Sequence, residues 1–586
     1  MNKKPSAATA VLLAAAMLFT AGCAKEGTSK GNSSRDLMSA SVNSSENSGS
    51  QDGTSSNAPA PEAGDFSDTD LDDSWSQDDN QIELSGDSAT VTGSGASVSD
   101  GIITISQAGT YVISGTLNDG QIIVDTGDND KVKLVLNGAA LKCLNSSPIY
   151  VQNADKVVIT LAAGTENTVA DGENYVYTDV AEEEPDSVIF SKDDLTINGS
   201  GSLTVNASFN DGIKSKDDLK IAGGSIMVSS IDDGIMGKDS VQIIGADITV
   251  LAEGDGIKST EDTDAEKGFI VLETGNYTIT SESDAIQAET GLTITGGTFN
   301  LITGGGSANA STQTGGGWGM WGGNTSTDDT SDSAKAIKAG GDIQISGGSF
   351  TIDSSDDSVH SNANISVSGG EFAISSGDDG IHADTSLTIE DGNILISQSY
   401  EALESASITI SGGEIDVTAS DDGINVAGGA DSSAMGGRPG QNSFTESGSY
   451  LLTISGGTIY MDASGDGLDS NGSIVMTGGT VIVNGPTDSG NGALDYNSSF
   501  TLSGGLLVAS GSSGMAQNVS PDSGQGSVLL YTGSIEAGTV LSLQDSGGNE
   551  IVTFSPTKAF QCIAISSPEL VTGKDYTLYS GGAYTG

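Results

Sequence analysis

Positive charge is scarce in this chain: lysine and arginine together number 21 against 79 aspartates and glutamates, a formal charge of −58. A surface that negative repels nucleic acid and anionic lipid and draws in cations, so nucleic acid is excluded as a partner and metal ions are favoured. Arginine occurs only at 35 and 438, and histidine only at 360 and 382. Proline is found 10 times and glycine 83 times; without a Gly-X-Y period this excludes collagen and points to many tight turns. Helix formers are few, and no EF-hand or nonapeptide calcium repeat is present. The three cysteines are Cys23, Cys143 and Cys562. Neither of the last two has a cysteine or histidine at metal-ligand spacing, and a bridge between them or two free thiols are both open.

The single apolar run, 10–19, is too short for a comfortable membrane span. It follows Lys3 and Lys4 and precedes Thr20-Ala21-Gly22-Cys23, the layout of a lipoprotein signal in which Cys23 is lipidated and becomes the first mature residue. Residues 1–23 are therefore expected to be a signal peptide, and the protein to be exported and anchored by lipid on the outer face of a bacterial membrane. Residues 24–80 are Ser, Asn, Gly and Asp with almost nothing to bury, the composition of a disordered tether. Trp75, near its end, is expected to dock on the folded part.

From 81 onward the sequence reads as strand throughout. Residues 81–186 hold short β-branched runs at 103–105, 111–113, 121–124, 132–136 and 157–161, bounded by Gly, Asn and Asp turns. Between 187 and 512 a repeat takes over. Asp211-Gly-Ile213, Asp233-Gly-Ile235 and Asp255-Gly-Ile257 are 22 residues apart, as are Asp357, Asp379 and Glu401 in the later series. Each unit also carries two alternating strands around a Gly-Gly turn, as at 219–228, 343–352 and 408–417. A period of about 22 residues with strand, Gly-Gly turn, strand and acidic corner predicts an all-β, right-handed, single-stranded parallel β-helix. Gly/Ser-rich insertions interrupt it at 303–333 and 428–447. The strands of 513–586 leave the period and predict a C-terminal β cap, matching a β region at the N-terminal end, because an uncapped last coil would offer open edges.

Stacking converts each repeat position into a column. The corner column contains Asp211, Asp233, Asp255, Asp284, Asp357, Asp379, Glu401, Asp422 and Asp466, with Asp232, Asp356, Asp378 and Asp421 just before four of them. Carboxylates one coil apart repel by roughly 3 kcal/mol at an effective dielectric near 20, so the ladder needs full solvation or a counterion. Calcium suits it, taking carboxylate, carbonyl and water oxygens with tolerant geometry. The competing reading is that Asp-Gly merely makes a good turn, both residues tolerating left-handed backbone. Beside the acids run Lys214 and Lys258, and in a parallel line Lys216 and Lys238; they are placed to contact sugar carboxylates or to balance neighbouring aspartates. His360 and His382 lie one coil apart as a stacked polar pair. In the first insertion Trp318 and Trp321 offer flat faces for pyranose rings, or fold back over the sheet.

Several stretches together, from about 103 to the C-terminus, resemble a known family. They are Gly109-Thr-Tyr-Val-Ile-Ser-Gly-Thr-Leu117, 134–138, Ser191-Lys-Asp-Asp-Leu195, the Asp-Gly-Ile coils, the Gly-Gly-Gly-Trp318 loop, Tyr400-Glu-Ala-Leu-Glu404 and 533–556. The chain resembles the β-helical carbohydrate-binding domain family of secreted bacterial lipoproteins, related in fold to pectate lyases. That resemblance implies non-catalytic binding of cellulose and acidic, pectin-like polymers, with Ca2+ held by the corner acids, and a monomer is expected. Two alternatives stand beside it. One is a pectate-lyase-type enzyme, which needs a basic residue next to the calcium: Lys214, Lys216 or Lys258, since arginine is absent from the coils. The other is an adhesin whose calcium only stiffens it.

Overall fold

The structure, a computed structural model, describes residues 61–177, 183–310, 333–427 and 450–581, all within the unit Ser56–Gly586. Cys23, Trp318, Trp321 and Arg438 lie outside the described residues. Apart from a four-residue helix, Asp68–Leu71, and the 3-10 turn Ser307–Asn309, the described residues form strands and their connections. No helix among them is long and apolar enough to cross a membrane.

The strands follow from the period-2 pattern. Ser225–Ser230 reads Ser-Ile-Met-Val-Ser-Ser and buries Ile226 and Val228 while exposing Met227, as a strand packed on one face must. Repetition places equivalent residues opposite one another. Ile213 pairs with Ile235, Ile235 with Ile257, Ile257 with Ile286 and Ile286 with Ile337, all in parallel. The column continues through Val359, Ile381, Leu403, Ile424 and Leu468. These rungs form a 16-stranded sheet that is parallel beyond its first pair; a 30-stranded sheet, also mostly parallel, carries the other faces. The result is an all-β, β-helix-like stack whose core is one continuous cluster of aliphatic columns. An aromatic column, Tyr277, Phe299, Phe350 and Phe372, stacks within it at centroid spacings of 4.5, 4.7 and 4.6 Å.

Two kinds of glycine hold the coils at this spacing. The second residue of the Gly-Gly turns is left-handed, with φ of 89° at Gly224 and 111° at Gly348. The corner glycines are not. A Cβ on Gly234 would lie 2.4 Å from Val250 Cγ1 and 2.6 Å from the carbonyl oxygen of Gly256. Close approach of the next coil, rather than a left-handed turn, is what asks for glycine after the corner aspartate.

At the C-terminal end, Phe560–Ser566 lies antiparallel on both Leu506–Gly511 and Ser527–Ile535, and Leu541–Asp545 joins Glu550–Phe554 and Tyr576–Ser580 in a small sheet. The last coil is thereby covered. At the other end Asn80–Gly86 pairs back on Ser88–Thr92. Cys143 and Cys562 are buried free thiols.

Residues 61–80, expected to belong to the tether, lie against the coils. Residues 61–79 run as a strap across successive coils. Gly64 N–H donates to Glu273 Oε1 at 2.7 Å and Asp65 N–H to Gln242 Oε1 at 2.7 Å. Asn198 Nδ2 donates to the Asp70 carbonyl at 2.9 Å, and Trp75 packs on Val112, Val135 and Ala162. At its centre Asp70, 0 % exposed, accepts from Lys156 Nζ at 2.9 Å and Thr196 Oγ1 at 2.6 Å. Burial would raise the Asp70 carboxyl, but its bonds to Ser67, Thr196 and Lys156 outweigh that and bring it down to about 2. The strap is held by a few polar bonds to distant coils together with the docked Trp75, a signal that composition does not carry. Asp70→Ala should cost about 3 kcal/mol, because the buried Lys156 keeps, among the described residues, only Asp194 at 3.4 Å, and the bonds from Thr196 and Ser67 go with the carboxylate. Because only the strap need open, limited proteolysis within 61–79 should speed up on the order of a hundredfold while the main melting transition stays put; unchanged cleavage would refute this role.

Candidate functional site

The residue two before each buried corner aliphatic opens the same edge of the stack. In order these are Asp211, Asp233, Asp255, Asp284, Lys335, Asp357, Asp379, Glu401, Asp422 and Asp466. The acids predicted to align do align, and one oxygen of each aspartate has a structural task. Asp211 Oδ1 accepts the N–H of Asp233 at 3.2 Å, Asp233 Oδ1 that of Asp255 at 2.8 Å, and Asp255 Oδ1 that of Asp284 at 2.8 Å. Asp357 serves Asp379 and Asp379 serves Glu401 in the same way, at 2.9 and 3.1 Å. The short aspartate side chain is what lets one coil cap the backbone of the next.

The second oxygen faces a cation in the early coils. Lys214 Nζ lies 2.9 Å from Asp211 Oδ2 and 2.7 Å from Asp186 Oδ2. Lys258 lies 2.7 Å from Asp255 and 3.3 Å from Asp233, and Lys338 lies 3.1 Å from Asp284. Lys335, 1 % exposed, reaches Asp356 at 3.0 Å and Asp357 at 2.7 Å. His360 Nδ1 then lies 2.9 Å from Asp357 Oδ2, and His382 Nδ1 3.3 Å from Asp379 Oδ2. Beyond that the same column carries Glu404, Asn425 and Asp469. No lysine occurs between Lys338 and Lys558. Among the described residues no lysine or arginine pairs with Glu401, Glu404, Asp421, Asp422, Asp466 or Asp469.

The electrostatics divide accordingly. Burial opposes charge on Asp357, yet Lys335 and His360 hold its carboxyl well below the usual range. Burial and then Asp421 push Asp422 up to about 8, and burial and then Asp466 push Asp469 up to about 7. Burial, Asp379 and Asp357 raise Asp378 to about 9. Glu401 rises well above its ordinary value through burial, Asp379 and Asp422. These are carboxyls that must hold protons or a cation. Three all-carboxylate groups bring their oxygens within 4.8 Å: Asp211 with Asp232 and Asp233, Asp356 with Asp357 and Asp378, and Asp422 with Asp466 and Asp469. Oxygen-only donors fit calcium. Near the last group, Asn425 donates to Glu401 Oε2 at 2.6 Å while its own buried Oδ1 meets no partner, and an amide oxygen is a calcium donor.

All four lysines proposed as sugar contacts are ion-paired: Lys214 and Lys258 to corner acids, Lys216 to Glu184, and Lys238 to Glu261 at 2.5 Å. Burial works against the charge of Lys214, but Asp211 and Asp186 more than offset it and hold the ammonium above its ordinary range. A separate open groove of about 620 Å³ crosses the outer face of the coils, where Leu395 and Tyr460 sit among Thr351, Glu371, Glu414 and Asp416. Residue Lys335 was hidden in the sequence because the 303–333 insertion breaks the count; its place two before Ile337 was the available signal. Glu404 and Asp469 follow His382 in the same column, two residues after Ala402 and Gly467 in their coils.

Residues 99–380 match the sequence family described as carbohydrate-binding domain-containing protein. A protein of that description from Acetivibrio thermocellus is 48 % identical over 211 residues, which is 36 % of this chain and 74 % of the relative. A solved structure, described as the polysaccharide lyase-like protein from C. thermocellum in a gadolinium derivative, aligns with 30 % identity and a TM-score of 0.36, covering 53 % of this chain and 96 % of that one.

Proposed function

The chain belongs to the carbohydrate-binding domain-containing protein family, and from that premise we propose that it is a calcium-dependent surface protein holding acidic or cellulosic polysaccharide without cleaving it. One observation carries this reading: the in-register acid column continues past His382, where among the described residues no lysine or arginine accompanies it. A divalent ion between rungs relieves that crowding, and a calcium ion with open positions can also take a uronate carboxylate. Asp422, Asp466 and Asp469, with Asn425 nearby, would hold one ion; at Asp356, Asp357 and Asp378, and at Asp211, Asp232 and Asp233, an ion would have to displace Lys335 or Lys214, so those groups come second. The groove beside Leu395 and Tyr460 offers an apolar and aromatic floor for sugar rings, and Trp318 and Trp321 add further stacking surfaces in this reading. Non-cleavage is supported by Lys214, whose acid partners keep it charged and unsuited to remove a proton. In the same proposal the stack is a right-handed β-helix of about 22 residues per coil, and Cys23 carries the lipid that places it outside the cell.

The test is retention on insoluble polygalacturonate and on cellulose, in millimolar calcium and after metal stripping, with unsaturated products followed by absorbance. Retention should require calcium and release no product. Asp466→Asn with Asp469→Asn should weaken it by about tenfold or more, the scale of a damaged metal shell. Metal-independent retention would remove the calcium role, and product formation would make the protein a lyase.

A further inference from the structure

The corner column contains two clusters whose donors are not all oxygen, Asp357 with His360 and His382, and Asp379 with His382 and Glu404; in the first, Asp357 Oδ2 already faces Lys335 at 2.7 Å, which leaves the second for an ion. Asp379 Oδ2 and Glu404 Oε2 lie 3.3 and 3.6 Å from the same ring nitrogen, His382 Nδ1, and the three residues converge within 4.8 Å. From this geometry we propose a separate site, Asp379, His382 and Glu404, for a divalent ion of the zinc class.

Four observations support it. Calcium collects oxygen ligands, whereas a neutral imidazole nitrogen suits zinc, cobalt and nickel. Donors held about 2.1 Å from a common tetrahedral ion are about 3.4 Å apart, close to both measured separations. On the far side of the ring, Asp384 Oδ1 lies 3.6 Å from His382 Nε2, just beyond hydrogen-bond length; a small shift of the ring on metal binding would bring it to the place where metal-bound histidines carry an orienting carboxylate. The ligand carriage is also fixed. His382 is 1 % exposed and its ring packs edge-on against His360 at 4.9 Å, while Asn425 Nδ2 reaches both Glu401 Oε2 and Glu404 Oε1. Glu404 keeps 18 % of its side chain in solvent, which gives an ion a way in. Asp357 Oδ2, 3.9 Å from Nδ1, stands at the rim and is already engaged by Lys335.

The opposing arrangement is a protonated His382 acting as the local counterion, with no ion bound at all. Metal-stripped full-length protein, saturated with calcium so that carboxylate sites are filled, is titrated with Co2+ and followed by visible absorption, then with Zn2+ to displace it. One equivalent of cobalt should bind with a nitrogen- and oxygen-ligated spectrum lacking thiolate charge transfer, and zinc should remove it. His382→Gln should lower cobalt affinity by at least about a hundredfold, and Asp384→Asn, which leaves the three donors in place, by about 10–100-fold with unchanged melting. Asp466→Asn should leave it within twofold. Loss of cobalt to millimolar calcium, full affinity in His382→Gln, or an Asp384→Asn protein that melts normally and binds as tightly as before would each overturn the site. None of these readouts depends on polysaccharide retention.

Discussion

Lys335→Met should destabilise the metal-free protein by about 3–5 kcal/mol, the usual result of removing one partner from a buried ion pair. Lys335 occupies a position that in the neighbouring coils belongs to an aspartate, and its N–H bonds to Asp284 Oδ1 at 2.7 Å as an aspartate's would. Its ammonium supplies the charge that lets Asp357 stay ionised at 0 % exposure. Methionine fills similar volume, so the loss reports charge rather than a cavity. Adding Asp357→Asn to Lys335→Met should recover much of the deficit, because the orphaned charge disappears with its partner. Calcium should also stabilise the single variant more than the parent, since Asp356, Asp357 and Asp378 are then left without a resident cation. Denaturant midpoints with and without calcium measure all three. A loss below about 1 kcal/mol, or a double variant no better than the single, would show that Asp357 does not depend on Lys335.

What the sequence disclosed about this molecule was whatever repeats. The alternation in Ser225–Ser230 and the Asp-Gly-Ile spacing specify strands, register and the alignment of the acids, because a one-residue slip would turn every buried aliphatic outward. Single events were not legible. Lys335 sits beyond an insertion that resets the count, and Asp70 lies in a segment whose composition says tether while a few polar bonds decide otherwise. The corner glycines were placed by the repeat, but what asks for them was not visible: Gly234 answers to the carbonyl of Gly256 and the methyl of Val250, contacts that exist only once the coils stack. Lysine pairing belonged to the same class. Lys214 pairs with Asp211, three residues before it in the same repeat, and with Asp186, 28 residues away, and no periodicity announces the second partner.

The acid column makes the pH dependence of stability a direct probe of its metal. Without an ion, burial together with acidic neighbours holds Asp422, Asp469 and Asp466 at about 8, 7 and 6. Burial likewise holds Asp211 at about 7 despite Lys214, and Asp255 at about 6 with Asp284 adding to it. An unfolded aspartate titrates near 3.9, so between about pH 4 and pH 8 the folded chain binds more protons than the unfolded one. Stability must therefore fall as pH rises through that window. Asp70 and Asp72, lowered to about 2, act the other way: their contribution is complete above about pH 4 and is lost as pH falls toward 2. Metal-stripped protein should accordingly melt highest near pH 4–5 and progressively lower up to pH 8. Calcium reverses the slope, because it binds only the deprotonated column; each ion at a hundred times its dissociation constant adds about 2.7 kcal/mol, and that gain is fully available only once the protons have left. Melting curves at pH 5 and pH 8, with and without calcium, then give opposite orders. If the stripped protein were equally stable at both, or calcium helped equally at both, the column would be solvated acid with no need of an ion.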